Sequence, residues 1–148
     1  MPRSPVCIDA NIIVALVTVE RFSRAALALW QELVEQAWQP TAPLLIRYEV
    51  ASALHRKVAR GIMDPDDARQ ALQQVLALNI HYLDPPDLPL QAFELAARFR
   101  RPAAYDAHYL ALADYLECPF WTADERLYSA VRADFPRIRW LGDYRAER

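Results

Sequence analysis

Glycine is nearly absent: Gly61 and Gly142 are the only two in 148 residues. Neither a G-x-G-x-x-G dinucleotide loop nor a G-x-x-x-x-G-K-[ST] phosphate loop can be assembled from them, which excludes both common nucleotide cradles. Lysine is scarcer still, with Lys57 alone among seventeen basic residues. Those seventeen face nineteen acidic residues, a net charge of −2, so no basic excess advertises nucleic acid. The two cysteines, Cys7 and Cys118, sit inside apolar runs and read as buried, reduced thiols rather than a disulfide framework or metal site. No stretch reaches the roughly 18 apolar residues of a membrane span. The run from Ile12 to Val19 is preceded by Asp9 and followed by no small-residue cleavage site, so it does not read as a signal peptide. The expectation is a soluble, cytoplasmic protein with no membrane partner. At about 100–200 residues per domain, the chain is expected to form a single domain over residues 1–148. A composition of 54% hydrophobic and 24% charged residues fits a folded chain rather than a disordered one.

What is present alternates between strand and helix. Pro5-Val6-Cys7-Ile8 is a continuous apolar run ending at Asp9, the pattern of a strand buried on both faces. Ala26, Leu29, Trp30, Leu33, Val34 and Ala37 form one helical stripe. A second helix is expected over Pro43 to Arg60, with Pro43 near its first turn and Gly61 as its stop. Asp64-Pro65-Asp66-Asp67 reads as a cap, a first-position proline and two first-turn acids, opening a helix that carries Ala68, Ala71, Leu72, Val75 and Leu76. Ile80 to Leu83 reads as a strand closed by Asp84-Pro85-Pro86. Helices are then expected from about Leu88 to Phe99 and from about Ala104 to Glu117. They are followed by a strand at Pro119–Thr122, a helix at Glu125–Val131 and a last strand at Ile138–Leu141. Strands separated by helices predict an α/β fold, a three-layer α/β/α sandwich around a central parallel sheet of four to five short strands. In such sheets ligands bind beyond the carboxyl ends of the strands.

That rule sorts the acids. Asp9 ends the first strand, and Asp124 comes two residues after the strand closed by Thr122. Asp106 shares a helix face with Leu110 and Ala113, and Glu49 lies between Leu45 and Ala53 at i−4 and i+4, so both point along apolar faces. Each has an ordinary reading: Asp9, Asp106 and Asp124 as helix N-terminal acids, Glu49 as a boundary residue paired with Arg47, Arg56 or a helix amide. For Asp124 the cap is supplied instead by Thr122 and Glu125, which fit the S/T-x-x-E capping box. Together, two acids at strand ends and two on inward helix faces predict four carboxylates in one cleft. They would repel one another unless a cation sat among them. Oxygen ligands without a supporting Cys or His cluster suit a hard ion, so Mg²⁺ or Mn²⁺ is expected. A D-x-[DN]-x-[DN]-G calcium loop is missing, and His55, His81 and His108 lack zinc-ligand spacing. The chemistry served best is phosphodiester hydrolysis. His108 reads as a partly buried structural histidine.

Asp9-Ala10-Asn11, Glu49, Tyr105-Asp106-Ala107 with Ala113, and Thr122-Ala123-Asp124 with Leu127 together resemble the PIN domain, in order and spacing over essentially the whole chain. The resemblance implies a Mg²⁺- or Mn²⁺-dependent endoribonuclease in which Asp9, Glu49, Asp106 and Asp124 hold the metal, supported by Asn11 and Thr122. A stand-alone PIN domain of this length is similar to the VapC-type toxins of toxin–antitoxin pairs. That likeness implies a homodimer inhibited by a cognate antitoxin protein, with RNA as substrate. The expected products are a 3′-hydroxyl and a 5′-phosphate, because no histidine pair is available for 2′-hydroxyl chemistry. The rival from another class is a catalytically silent PIN scaffold that only binds a partner or nucleic acid. A haloacid-dehalogenase-like phosphatase fails at Asn11, where it needs a second Asp, and a response-regulator receiver fails for want of a lysine late in the chain. Arg98, Arg100, Arg101 and Arg126, close to Asp106 and Asp124 in sequence, are the candidates for contacting the RNA backbone. For the first three, the competing role is compensation of a helix C-terminal dipole. Trp121 is expected in the core, and Phe22 and Trp30 read as core packing first, with a dimer or antitoxin surface as the alternative.

Overall fold

The computed structural model describes residues 3–145. Strand β1 (Pro5–Ile8) leads into helix α1 (Ala10–Val17) and helix α2 (Ser23–Glu35), then strand β2 (Gln39–Ala42) and helix α3 (Leu45–Ala59). Helix α4 (Pro65–Leu76), strand β3 (His81–Tyr82), helix α5 (Leu88–Arg98) and helix α6 (Tyr105–Leu116) follow. Strand β4 (Phe120–Thr122), helix α7 (Glu125–Val131), strand β5 (Ile138–Trp140) and a 3₁₀ turn (Leu141–Asp143) close the described chain. The five strands form one parallel sheet in the order β3-β2-β1-β4-β5. This is the expected α/β architecture, at the upper end of the expected strand number.

Side-chain alternation in β1 divides the core between the two faces of the sheet. Val6 packs with Ile12, Ala26, Leu29, Leu33 and Leu141, whereas Cys7 packs on the other side with the apolar faces of α3, α5 and α6. Helix α6 is the most deeply placed: Ala107 and Tyr109 to Ala113 are all buried, which aims the helix N-terminus, with Asp106, at the strand ends. Both cysteines are buried and unpaired, as expected.

Local signals located several ends accurately. Asp64 caps α4 by accepting from the Asp66 N–H at 2.8 Å, Pro65 takes the first helical position, and Gly61 stops α3 at φ +71°. Other expectations need correction. Strand β2, Gln-Pro-Thr-Ala, is not among the expected strands, and its proline is unusual in so central a position. Here Pro40 lies buried in register with Val6. The run after Asp9 is helix α1, and Ile80 and Leu83 fall outside a strand of only two residues. Helix α3 begins at Leu45, after Pro43 rather than at it. The stripe on α2 is narrower than predicted: Val34 is exposed, and Ala37 lies beyond the helix with φ +57°. Trp121 is only half-buried, its ring edge-on to Tyr144, and Trp30 packs half-buried against the core.

Candidate active site

Order reverses in the sheet between β1 and β4: the chain moves outward from β1 through β2 to β3, then returns to lay β4 on the other side of β1. A crevice forms at the carboxyl ends of the strands wherever order reverses. The Asp9 N–H donates to the Trp121 carbonyl at 3.0 Å, so Asp9 stands at that switch point.

A clasp of three polar side chains closes the two strand ends over one another. Thr122, fully buried at the end of β4, donates from Oγ1 to Asp9 Oδ2 at 2.9 Å. The same oxygen accepts from Asn11 Nδ2 at 3.2 Å and from the Asp124 N–H at 3.0 Å. Asn11 Oδ1 in turn accepts the Ala123 N–H at 2.9 Å. Thr122 therefore spends its hydroxyl on Asp9 and Asp124, not on the capping box with Glu125. Asp124 itself caps α7, Oδ1 accepting from the Arg126 and Leu127 N–H groups at 2.9 and 3.1 Å. This overturns the expectation that its cap is supplied by a neighbour. Asp9 behaves differently: it occupies the N-cap position of α1, yet its side chain makes no capping bond.

Asp9, Glu49 and Asp106 line a single pocket of about 220 Å³ with Asn11, Glu20 and Arg56. Three elements supply the acids: the end of β1, the first turns of α3 and the first turn of α6. Asp124 stands at the edge of this group, outside the pocket lining but close enough for its charge to act on Asp106. Burial and then the Asp106 charge push the Asp9 carboxyl up to about 8, against the stabilising bond from Thr122, with Glu49 adding a smaller push. Burial raises Glu49 too, opposed by Tyr109, whose hydroxyl donates to Glu49 Oε1 at 2.6 Å. Asp106 is also raised, chiefly by burial, although Arg101 Nη2 lies 3.4 Å from its Oδ2 and draws it down. Among the described residues, no three His, Cys, Asp or Glu side chains are gathered tightly enough to cage a metal ion as they stand. The acids form an open cluster.

The predicted arginines are dispersed. Arg101 pairs with Asp106, its Nε buried without a hydrogen-bond partner. Arg98 lies over the Phe99 ring and reaches the Asp134 carbonyl at 3.5 Å, Arg100 takes a left-handed backbone at φ +53°, and Arg126 is exposed in the first turn of α7. The arginine that lines the acid pocket is Arg56, held by a bond from Nη1 to Ser52 Oγ at 3.1 Å. Glu49, expected to pair with an arginine or helix amide, is bonded instead to Tyr109. That tyrosine was not among the predicted residues, because three positions after Asp106 on an apolar helix it is indistinguishable from core. Its ring is core, stacked on Phe120 at 5.8 Å. Glu20, which no motif marks, also lines the pocket and is tied to Lys57 at 2.9 Å. His108 is half-buried, its Nδ1 2.7 Å from the Ala104 carbonyl.

The family model of the PIN domain matches residues 6–133. The chain is similar to VapC ribonuclease Mb0985 of Mycobacterium bovis and to Ribonuclease VapC9 of Mycobacterium tuberculosis. It is 36% identical to each over 94 residues, covering 64% of this chain and 72% of the relative. Ribonuclease VapC3 of Pyrobaculum aerophilum is 32% identical over 124 residues, covering 81% of this chain and 89% of the relative. The crystal structure of PAE2754 from Pyrobaculum aerophilum superposes with a TM-score of 0.65 at 22% identity, covering 88% of this chain and 86% of that one, a likeness of fold. With a match running from the first strand past the seventh helix and relatives above 30% identity, this chain belongs to the PIN domain family, among its VapC-type members.

Proposed function

We propose that the chain is a single-domain, metal-dependent endoribonuclease, the toxin of a toxin–antitoxin pair. In this reading it acts in the cytoplasm as a homodimer restrained by a cognate antitoxin protein. Its relatives' names supply the ribonuclease class. The observation that carries the reading is the convergence of Asp9, Glu49 and Asp106 on one pocket at the switch point of the sheet, with Asp124 at its rim. The donor set fits a hard divalent cation. It is all oxygen, its members raise one another's protonation, and no basic side chain pairs with Asp9 among the described residues. An open cluster suits Mg²⁺ or Mn²⁺, because magnesium keeps several waters and takes only one or two carboxylates. Asp9, Asp106 and Asp124 would hold the ion, with Glu49 helping to bind it or to orient the attacking water. Bound there, the ion would activate water and neutralise charge building on the phosphate and leaving oxygen.

The protein's own residues prepare that site. Thr122 fixes the Asp9 carboxylate through one strong bond, and Asn11 holds the β1 and β4 ends together. Tyr109 points Glu49 into the pocket, and Arg101 holds Asp106 until a competing cation arrives. Arg56 lines the acid pocket and Arg126 is exposed two residues after Asp124, so in this reading these two would meet phosphate. The test is incubation of the purified chain with structured RNA in Mg²⁺, in Mn²⁺ and in EDTA, beside an Asp9→Asn variant. Cleavage is expected in metal alone and should fall at least about 100-fold in the variant. Equal cleavage in EDTA, or cleavage that survives Asp9→Asn, overturns the mechanism.

A further inference from the structure

Two acids of the pocket are each preceded by a tyrosine: Tyr48 before Glu49 and Tyr105 before Asp106. Both tyrosines are largely exposed, at 68% and 62%, although they sit in the first turns of well-packed helices. Neither hydroxyl has a hydrogen-bond partner among the described residues, and neither ring packs on another aromatic. One exposed ring is ordinary, but two that share a hollow beside a polar site mark a candidate binding surface.

The cavities give one. Tyr48 and Tyr105 both line a hollow of about 280 Å³ that also takes in Glu49 and Arg56, two residues of the acid pocket. They line a second hollow of about 430 Å³, whose far wall is the stiff Pro85-Pro86 turn and Pro89, with His108 beside it. The three hollows share lining residues in series, Glu49 and Arg56 between the first two, Tyr48 and Tyr105 between the last two. The series has aromatic walls, an arginine at the acid end and, at the other, a rigid proline wall beside Asp84, whose Oδ2 accepts the Leu44 N–H at 3.0 Å. His108 is turned toward its own helix, with Nδ1 2.7 Å from the Ala104 carbonyl. Flat rings with a phosphate-binding cation one step away suit an unpaired nucleotide: each base has a π-face to stack, and the backbone is met by arginine.

We infer that Tyr48 and Tyr105 form a stacking platform for an unpaired nucleobase of the RNA, next to the phosphate held at the acid pocket. The platform rests on the ribonuclease reading and names the residues that would hold the unpaired strand. A base must leave its helix to reach the rings, so single-stranded or looped RNA is bound and a continuous duplex is not. The tyrosines are binding residues that orient the strand, with Arg56 at the junction.

The experiment reads binding apart from chemistry. A fluorescein-labelled twelve-nucleotide RNA of one defined, unstructured sequence is titrated in Mg²⁺ against the full chain carrying Asp9→Asn, then against the same chain with Tyr48→Ala, Tyr105→Ala or the matching Phe changes. Each alanine should weaken single-strand binding about tenfold, the scale of one lost base stack, while each phenylalanine stays within about threefold. The same RNA annealed to its complement should bind weakly throughout and respond little to either tyrosine. Alanine variants that bind as the parent does, or phenylalanines that lose as much as alanines, overturn the platform. Light scattering on the variants covers the rival occupant: a drop in mass would make the tyrosines subunit contacts, which also overturns it. If the unmodified chain cleaves RNA while the tyrosine changes are silent, only the platform fails. If it neither cleaves nor binds RNA, the ribonuclease reading has failed first.

Discussion

Tyr109 does two jobs that a sequence reading keeps apart. Its ring is fully buried and stacked on Phe120, and its hydroxyl reaches out of that core to Glu49. A tyrosine in an apolar helical stripe gives no sign of which end matters, so the second job was illegible. Asp9 was legible because it breaks a buried strand's pattern at the very residue where the chain must turn. Asn11 and Thr122 were legible only through the family likeness, since a threonine's choice between a capping box and a carboxylate depends on a residue more than a hundred positions away. Tyr109→Phe isolates the second job: the ring and its packing stay, and one charged hydrogen bond goes. A bond to a charged acceptor is worth about 1.5–3 kcal/mol where it is fully formed. If Tyr109 orients Glu49, RNA cleavage at saturating substrate should fall about tenfold or more while the melting temperature shifts by only a few degrees. A loss of stability without loss of rate would return Tyr109 to the core alone.

Elements ending in a chemically distinctive residue were the ones the sequence placed well. Asp64-Pro65 opens α4 and Gly61 closes α3 because each uses a backbone preference that needs no tertiary partner. Strand β2 failed for the opposite reason. Its four residues carry little strand preference, and it exists because β1 and β3 pair with it from both sides. Helix ends give a test of how far the local rule reaches. Gly61 has φ +71° with nothing within 4 Å of where a Cβ would stand, so Gly61→Ala should cost only backbone strain, about 1–2 kcal/mol. Glu117 holds the equivalent left-handed position at the end of α6 with φ +52° and an exposed side chain, so Glu117→Gly should stabilise by about 0.5–1 kcal/mol. Thermal melts of the two variants should therefore move in opposite directions. Shifts of the same sign would mean that the cap backbones are not what sets these ends.

At the scale of the whole molecule, the net charge of −2 conceals a concentration of like charge at one point, which couples stability to pH. The Asp9 carboxyl, ordinarily near 3.8, is raised to about 8 in the folded chain by burial and by Asp106 and Glu49. Between those values the folded state holds a proton that the unfolded state has released. Stability therefore falls as pH rises across that window: the contribution is complete below about pH 4 and lost by about pH 8. One pKa unit corresponds to about 1.4 kcal/mol, so even a quarter of the shift is a visible loss, roughly 3–6 °C in the melting temperature. In EDTA the chain should melt lower at pH 8 than at pH 5.5, and Asp9→Asn should remove most of the difference, because the amide has no proton to lose. Millimolar Mn²⁺ should reverse the trend in the unmodified chain, since an ion that binds only the folded state raises its midpoint and does so best when the carboxylates are ionised. The Asp9→Asn chain should gain much less. A midpoint in EDTA that is flat from pH 5.5 to 8, or an equal manganese shift in both chains, would mean that Asp9 is not the residue through which this acid cluster strains the fold.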